Sequence, residues 1–385
     1  MSAPIRLAVV AGEESGDLLA ADLVAALRRL TGRDIVLTGV GGGHLAAEGL
    51  TSLFDPSEIA LMGISAVVSR LPSLIRRIST TADAIVQARP DLLLIVDSPD
   101  FTHRVARKVR ARMSGLPIVD YVCPSVWAWR PGRAKAMTGY VDHVLCLLPF
   151  EPEALKRLDG PPATYVGHRL ARDPGLEGVW QAQLERAGDP RSPVLCLLPG
   201  SRRSEVSGLL SFYRDTVEEL SRIGSTPDLL LPTVPHVEPL VRDLTAGWPW
   251  KPEIAVGEAA RHAMFARADA ALAASGTVTL ELALAGVPLV SCYRTDWLAR
   301  MLRHLIVAWS ASLPNLIAGY PVVPELYDYS LRPGYAARYL AALMKDGAFR
   351  QAQREGFAAI RDVMTTTRPA GEIAAETVAG LLRDG

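Results

Sequence analysis

The feature that most narrows the fold is an alternation repeated along the chain, in which short runs rich in Val, Ile and Leu lead through glycine-bearing or polar loops into helical patterns. The first set of runs is Ile5 to Ala11, Ile35 to Val40, Leu92 to Val96, Ile118 to Val122 and Val144 to Leu148. Strands alternating with helices predict a parallel sheet covered on both faces, because each crossover lays a helix over the sheet. The pattern starts afresh after Pro190-Arg191-Ser192-Pro193, with Val194 to Leu198, Leu229 to Leu231, Ile254 to Val256, Ala270 to Ala274 and Leu289 to Ser291. A chain of 385 residues is long enough to fill two such cores. The expected division is residues 1–171 and 172–332, with a linker in the stretch from Arg172 to Pro193, which is rich in Gly, Pro, Asp and Arg. Residues 333–385 read as helices without further strands, and by fold-level analogy they are expected to cross back onto the first domain.

Lys plus Arg and Asp plus Glu each number 41, so no global field draws the chain to nucleic acid, and any phosphate or membrane site must be local. Cys123, Cys146, Cys196 and Cys292 are far apart and mostly end apolar runs, which fits buried reduced thiols better than disulfides or a zinc site. The N-terminus enters its first strand without a basic region and long apolar core, and no segment reaches the roughly 20 apolar residues of a membrane span. The expectation is a cytoplasmic protein, with peripheral membrane contact left open.

Ligands of open α/β sheets bind beyond the carboxyl ends of the strands, so the loops after each strand carry the search. In Leu198-Pro199-Gly200-Ser201-Arg202-Arg203-Ser204-Glu205, a strand runs into Gly-Ser-Arg and then a helix starting near Glu205. Gly200 lets backbone approach an anion, N–H groups at the helix start can donate to it, and Arg202 supplies a planar fork suited to phosphate. A capped helix start with a solvated arginine explains the same residues equally well. In Ala274-Ser275-Gly276-Thr277-Val278-Thr279-Leu280-Glu281 the pattern recurs, and Glu281 falls one turn beyond Thr277, on the helical face where a carboxylate can accept ribose hydroxyls. Taken alone, Glu281 reads more readily as a helix-dipole carboxylate. Two such loops in one domain favour a nucleotide diphosphate. Neither matches GxxxxGK[ST], and Gly12-Glu13-Glu14-Ser15-Gly16-Asp17 is not GxGxxG, which disfavours a P-loop NTPase and a standard dinucleotide dehydrogenase.

The first domain offers Gly12 to Asp17, Gly41-Gly42-Gly43-His44, Asp97-Ser98-Pro99-Asp100-Phe101 and Pro124-Ser125-Val126-Trp127-Ala128-Trp129. Asp97, directly after an apolar strand, stands where a general base belongs, whereas Asp100 reads as the cap of a helix starting at Phe101. Trp127 and Trp129 alternate, so one can face a groove, although packing explains either alone. Of the scattered histidines, His44 and His168 are the two to follow. No Asp-x-Asp pair occurs, so no metal clamp and no cofactor is expected, and Arg202 with helix N-termini must hold the charge of a leaving diphosphate.

In order along nearly the whole chain, these segments resemble the lipid-A-disaccharide synthase family. The resemblance rests on Ala11-Gly12-Glu13 with Ser15-Gly16-Asp17, Gly42-Gly43 with Gly49, Leu61-Met62-Gly63, Asp97-Ser98-Pro99-Asp100-Phe101, Pro124 to Trp129 and Leu148-Pro149-Phe150-Glu151. It continues through Val166-Gly167-His168, Leu198 to Arg202 with Glu205, Ser275-Gly276-Thr277 with Leu280-Glu281, Leu313-Pro314-Asn315 and Val323-Pro324-Glu325. Arg169 stands where the family pattern has proline, and Asp328 where it has glutamine.

The resemblance implies a GT-B type α/β fold, with two doubly wound parallel-sheet (Rossmann-like) domains facing a cleft and C-terminal helices. The first domain faces acceptor and membrane, and the second binds the UDP-sugar donor. It implies an inverting transfer from UDP-2,3-diacylglucosamine to 2,3-diacylglucosamine 1-phosphate at the inner-membrane surface, without nucleic acid and with a homodimer left open. Asp97 becomes the base and Arg202 the leaving-group stabiliser together with Ser275-Gly276-Thr277. Glu281 becomes the ribose contact, and Asn315 and Glu325 position the donor. Gly200, Ser201 and Glu205 join the donor loop, while Gly12, Glu13, Ser15, Gly16, Asp17, His44, Asp100 and Trp127 form the acceptor loops. Apolar anchors interleaved with arginines at Leu61, Met62, Val67, Val68, Arg70, Leu71, Leu74, Ile75, Arg76 and Arg77 suit an anionic membrane, although the same pattern describes an amphipathic helix packed on the sheet. Rival readings are a UDP-N-acetylglucosamine 2-epimerase on the same fold and a non-catalytic nucleotide or lipid binder.

Overall fold

The computed structural model describes residues 3–59, 64–186, 192–294 and 306–383, with side chains of the helix beginning at residue 64 described from residue 73. The chain divides into two compact units, residues 1–168 with 366–385, and residues 169–365.

The first unit runs β1 (Ile5–Ala11), α1 (Glu14–Thr31), β2 (Ile35–Val40), α2 (Gly43–Ala47), α3 (Ile64–Ala88), β3 (Leu92–Val96) and α4 (Pro99–Arg110). It continues β4 (Ile118–Tyr121), α5 (Gly132–Met137), β5 (His143–Cys146), α6 (Glu151–Arg157) and β6 (Ala163–Tyr165). The strands form one six-stranded sheet in the order β2-β1-β3-β4-β5-β6, and the pairs are parallel. Side chains alternate across it: Ala8, Val10, Leu93 and Ile95 enter the core under α3 and α4, while Leu7, Val9, Leu92 and Leu94 enter the core under α1. Burial on both faces is why these runs carry no polar alternation.

The second unit runs α7 (Pro174–Glu185), β7 (Val194–Leu198), α8 (Arg203–Arg222), β8 (Asp228–Thr233), α9 (Glu238–Thr245), β9 (Glu253–Val256) and α10 (Glu258–Arg267). It continues β10 (Ala270–Ala274), α11 (Thr277–Leu284), β11 (Leu289–Tyr293), α12 (Leu313–Ala318) and β12 (Glu325–Tyr327), followed by α13 (Pro333–Leu343) and α14 (Ala348–Met364). Its six strands are ordered β12-β11-β10-β7-β8-β9, again in parallel.

The stretch expected as a linker holds α7 instead. Asp173 caps it, its Oδ1 accepting from Gly175 N at 2.8 Å and Leu176 N at 3.1 Å. The Asp-Pro-Gly of this stretch is therefore a helix start, with proline in the first turn, where its missing N–H costs nothing. Gly175 also admits His262, whose Nδ1 would lie 2.2 Å from a Cβ at that position. The edge strands β6 and β12, three residues each, escape sequence reading because they are too short to show a period.

Only the last helix, α15 (Ala370–Arg383), belongs to the first unit; α13 and α14 stay in the second. It packs on α1 through Ala374, Ala375, Val378 and Ala379, and Gly371 lies so near Asp22 that a Cβ would sit 3.0 Å from its carbonyl oxygen.

Candidate active site

Strand order reverses between β1 and β3 in the first unit and between β7 and β10 in the second. Connections leave such a pair toward opposite faces, so a crevice opens at its carboxyl ends. Four of the loops singled out from sequence, those after β1, β3, β7 and β10, stand at these two reversals.

In the first unit, the loop after β1 meets the loop after β3 at Gly12, where a Cβ would stand 2.7 Å from Ser98 Oγ. Asp97 and Ser98 follow with φ of +52° and +45°. Two successive non-glycine residues in that region cost about 1–3 kcal/mol each, strain of the kind that clusters at functional sites. The turn is held by Thr102 Oγ1 donating to Asp97 O at 2.7 Å and by Ser98 N donating to Asp97 Oδ1 at 2.7 Å. Asp97 is half-buried, directly beyond the fully buried β3. Asp100 does not cap a helix at Phe101; α4 begins at Pro99, the favoured first helical residue, and Asp100 is 91% exposed, 3.9 Å from Arg133.

Asp17 is buried, and its carboxylate accepts from Gly42 N at 2.6 Å, His44 N at 2.8 Å and Leu45 N at 3.4 Å, so it anchors the triple-glycine loop. Gly12, Glu13, Asp17 and His44 line a cavity of about 590 Å³. Ser15 is exposed beside it, and Gly16 lets α1 approach β3, a Cβ there standing 3.2 Å from Val96. Trp127 Nε1 donates to Glu151 Oε1 at 3.2 Å, and the indole meets Phe150 edge-on at 5.0 Å. Glu151, at the start of α6, is buried, which pushes its pKa up to about 7 against the opposing hydrogen bonds from Leu148 N and Trp127. The resemblance contained Glu151, but its part in holding Trp127 has no local signature.

Of the membrane candidates, Leu61 and Met62 lie outside the described residues; Val67, Val68, Arg70 and Leu71 lie on α3, where side chains are not described. Leu74 packs against the core, whereas Ile75 is 50% exposed and Arg76 is exposed. Arg77 is bound to Glu58 and lies over the Phe54 ring at 4.5 Å.

In the second unit both glycine loops line one cavity of about 350 Å³, with Gly200, Ser201, Arg202 and Glu205 after β7 and Ser275, Gly276, Thr277 and Glu281 after β10. Glu205 reaches back over its own helix start: Oε2 accepts from Ser201 N and Arg202 N at 3.2 Å each, and Oε1 from Arg202 Nη1 at 3.0 Å. The carboxylate occupies N–H groups that could otherwise donate to an outside anion, as the capped-helix alternative has it. Ser275 is also engaged, its hydroxyl donating to Ala311 O at 2.8 Å. Gly276, at φ +151°, turns the chain into α11 with open space at its Cα. Glu281 is 12% exposed and 3.2 Å from Arg261. Burial raises its pKa, and the charges of Arg261 and then Arg169 oppose that rise.

Asn315 and Glu325 do not line this cavity. Asn315 Nδ2 donates to Val323 O and Glu325 Oε2, while its Oδ1 accepts from Val322 N and Val323 N, which fills the amide's capacity. Glu325 in turn accepts from Ser310 Oγ at 2.7 Å and Ala311 N at 3.0 Å, so the pair fixes the loop that receives Ser275. Asp328 sits at φ +29°, a region Asp tolerates better than most residues. Arg261 and Thr233, which complete the cavity, went unseen in the sequence; their one signal is that Thr233 ends a strand.

A family model described as lipid-A-disaccharide synthetase matches residues 7–375. The chain belongs to the lipid-A-disaccharide synthase family. Among curated relatives, the lipid-A-disaccharide synthase of Nitrobacter winogradskyi is 48% identical over 385 residues, covering 98% of this chain and 96% of that one. Membership makes the chain a glycosyltransferase of lipid A biosynthesis, acting on lipid A precursors. The fold is of the GT-B type, shared with MurG of Acinetobacter baumannii at TM-score 0.56 and 14% identity, each chain covered 100%. A putative UDP-N-acetylglucosamine 2-epimerase of Listeria monocytogenes matches at TM-score 0.58 and 13% identity, covering 98% of this chain and 95% of that one. Since both share the fold, architecture does not separate the synthase from the epimerase reading; the sequence relatives do.

Proposed function

We propose that this lipid-A-disaccharide synthase family enzyme transfers the sugar of UDP-2,3-diacylglucosamine, with inversion, to the 6-hydroxyl of 2,3-diacylglucosamine 1-phosphate, releasing UDP. The observation that carries the donor half is the single cavity uniting the Gly200 loop, the Ser275-Gly276-Thr277 helix start and Glu281.

Asp97 takes the proton of the acceptor hydroxyl as that oxygen bonds to the donor's anomeric carbon. The bond from that carbon to the β-phosphate oxygen breaks, and the charge left on UDP is held by Arg202 and the N–H groups opening α11. Glu281 accepts the ribose hydroxyls. Asn315 and Glu325 position the donor indirectly, through the loop at Ala311. Gly12, Glu13, Asp17 and His44 shape the acceptor side, with Ser15 and Gly16 in the same segment and Trp127 held on Glu151 in the loop after β4.

Among the described residues no helix is long and apolar enough to cross a membrane. Peripheral contact with the cytoplasmic face of the inner membrane is supported by the exposed Ile75 and Arg76 of α3. Incubation with both acylated substrates, followed by mass spectrometry, tests the reading. Disaccharide 1-phosphate together with UDP is expected, whereas a C2-epimerised UDP-sugar formed without disaccharide would replace this reaction with the epimerase one.

A further inference from the structure

Glu281 is held in a way that ribose binding alone does not require. Its Oε2 lies 3.2 Å from Arg261 Nε. The two atoms are not aligned as a hydrogen bond, and both are buried without a hydrogen-bond partner in the protein, as is Thr233 Oγ1. Charge attraction does not need the linear alignment that a hydrogen bond does, so the contact holds Oε2 inward against Arg261 and leaves the other carboxylate oxygen to meet a ligand hydroxyl. All three residues line the cavity that holds the Gly200 and Ser275 loops.

The pair is assembled from separate elements. Arg261 and Glu258 come from α10, Asp173 from the start of α7, and Arg169 from the turn before α7. These are the charged groups acting on Glu281: Arg261 and Arg169 favour its ionised form, while Glu258 and Asp173 oppose it. His262 stands within 4.8 Å of the Asp173 and Glu258 carboxylates. Arg169, where the family pattern has proline, therefore adds a positive charge to this site in this chain.

We propose that Arg261 is a positioning residue for the nucleotide donor, holding Oε2 of Glu281 inward so that the ionised carboxylate presents its other oxygen to a ribose hydroxyl. The proposal rests on the donor-cavity reading above. Burial drives Glu281 toward its neutral form, and the Arg261 charge is the first influence opposing that drive. A protonated Glu281 loses acceptor capacity, so removal of the Arg261 charge makes nucleotide binding depend on pH more steeply than in the native protein.

The test is calorimetric titration of UDP into the full-length protein and its Glu281→Gln, Arg261→Gln and Arg261→Lys variants between about pH 6 and pH 8. Glu281→Gln is expected to bind UDP roughly tenfold more weakly at every pH, as when a charged hydrogen-bond acceptor is lost. Arg261→Gln is expected to lose affinity toward the acid end more steeply than the native protein, by up to roughly tenfold, and to draw level with it toward the alkaline end. Arg261→Lys is expected to restore the native profile. If Glu281→Gln binds as the native protein does, the donor-cavity reading falls. If Glu281→Gln is weakened but Arg261→Gln is native-like, or is weakened equally at every pH, the positioning role alone falls, since a merely structural arginine would not move the pH profile.

Discussion

A Cβ on Gly200 would fall 2.4 Å from Glu205 Oε2. The glycine is thus what lets that carboxylate fold back over the loop and take the N–H groups of Ser201 and Arg202. The backbone at Gly200 also sits at φ +105°, where side chains are strained. Local conformation and close approach demand the same residue.

Gly200→Ala is therefore expected to destabilise the protein by about 1–3 kcal/mol and to weaken UDP binding, because the loop must open to relieve the contact. Thermal unfolding and UDP titration read the two effects. Native affinity in a folded Gly200→Ala protein would remove this loop from donor binding.

Asp97→Asn is expected to lower kcat by roughly 10²-fold or more, with little change in KM for the UDP-sugar. Asn tolerates positive φ nearly as well as Asp, so the turn at φ +52° survives and the substitution tests chemistry more than folding. A kcat within a few-fold of the native value would move the base elsewhere.

Glu151 predicts a pH dependence of stability. Burial lifts its carboxyl to about 7, whereas the ordinary value of 4.5 applies once the chain unfolds. Between those values the folded state binds more protons than the unfolded state, so stability falls as pH rises through that window. Glu151→Gln, neutral throughout, is expected to flatten that slope, gaining about 3 kcal/mol at most above pH 7, less the cost of mismatched hydrogen bonds. Unfolding curves for both proteins at acid and slightly alkaline pH decide it; an equal difference at the two would exonerate Glu151.

Combined Ile75→Glu and Arg76→Glu substitutions are expected to reduce flotation with vesicles containing anionic lipid while leaving the melting temperature nearly unchanged, since both side chains are exposed. Leu74 is the wrong probe, because it packs against the core. Flotation equal to that of the native chain would take the membrane role away from this face of α3.

The sequence by itself determined the parallel sheets, their glycine-bearing loops and the family, because these are written within a few neighbouring residues. A strand buried on both faces must be continuously apolar, and a chain turning sharply beside a strand end needs glycine. What only the tertiary structure decided is which distant residues meet. Strand order sets β7 beside β10 and so brings the Gly200 and Ser275 loops into one cavity. Packing of α10 then gives Glu281 its arginine, and the fold of one loop turns Glu205 into the acceptor of N–H groups that looked available. Asn315, expected at the donor, has its amide filled by backbone from the far side of its turn and by Glu325. Partners of buried charges and amides follow from which elements pack together, and no local stretch of sequence carries that information.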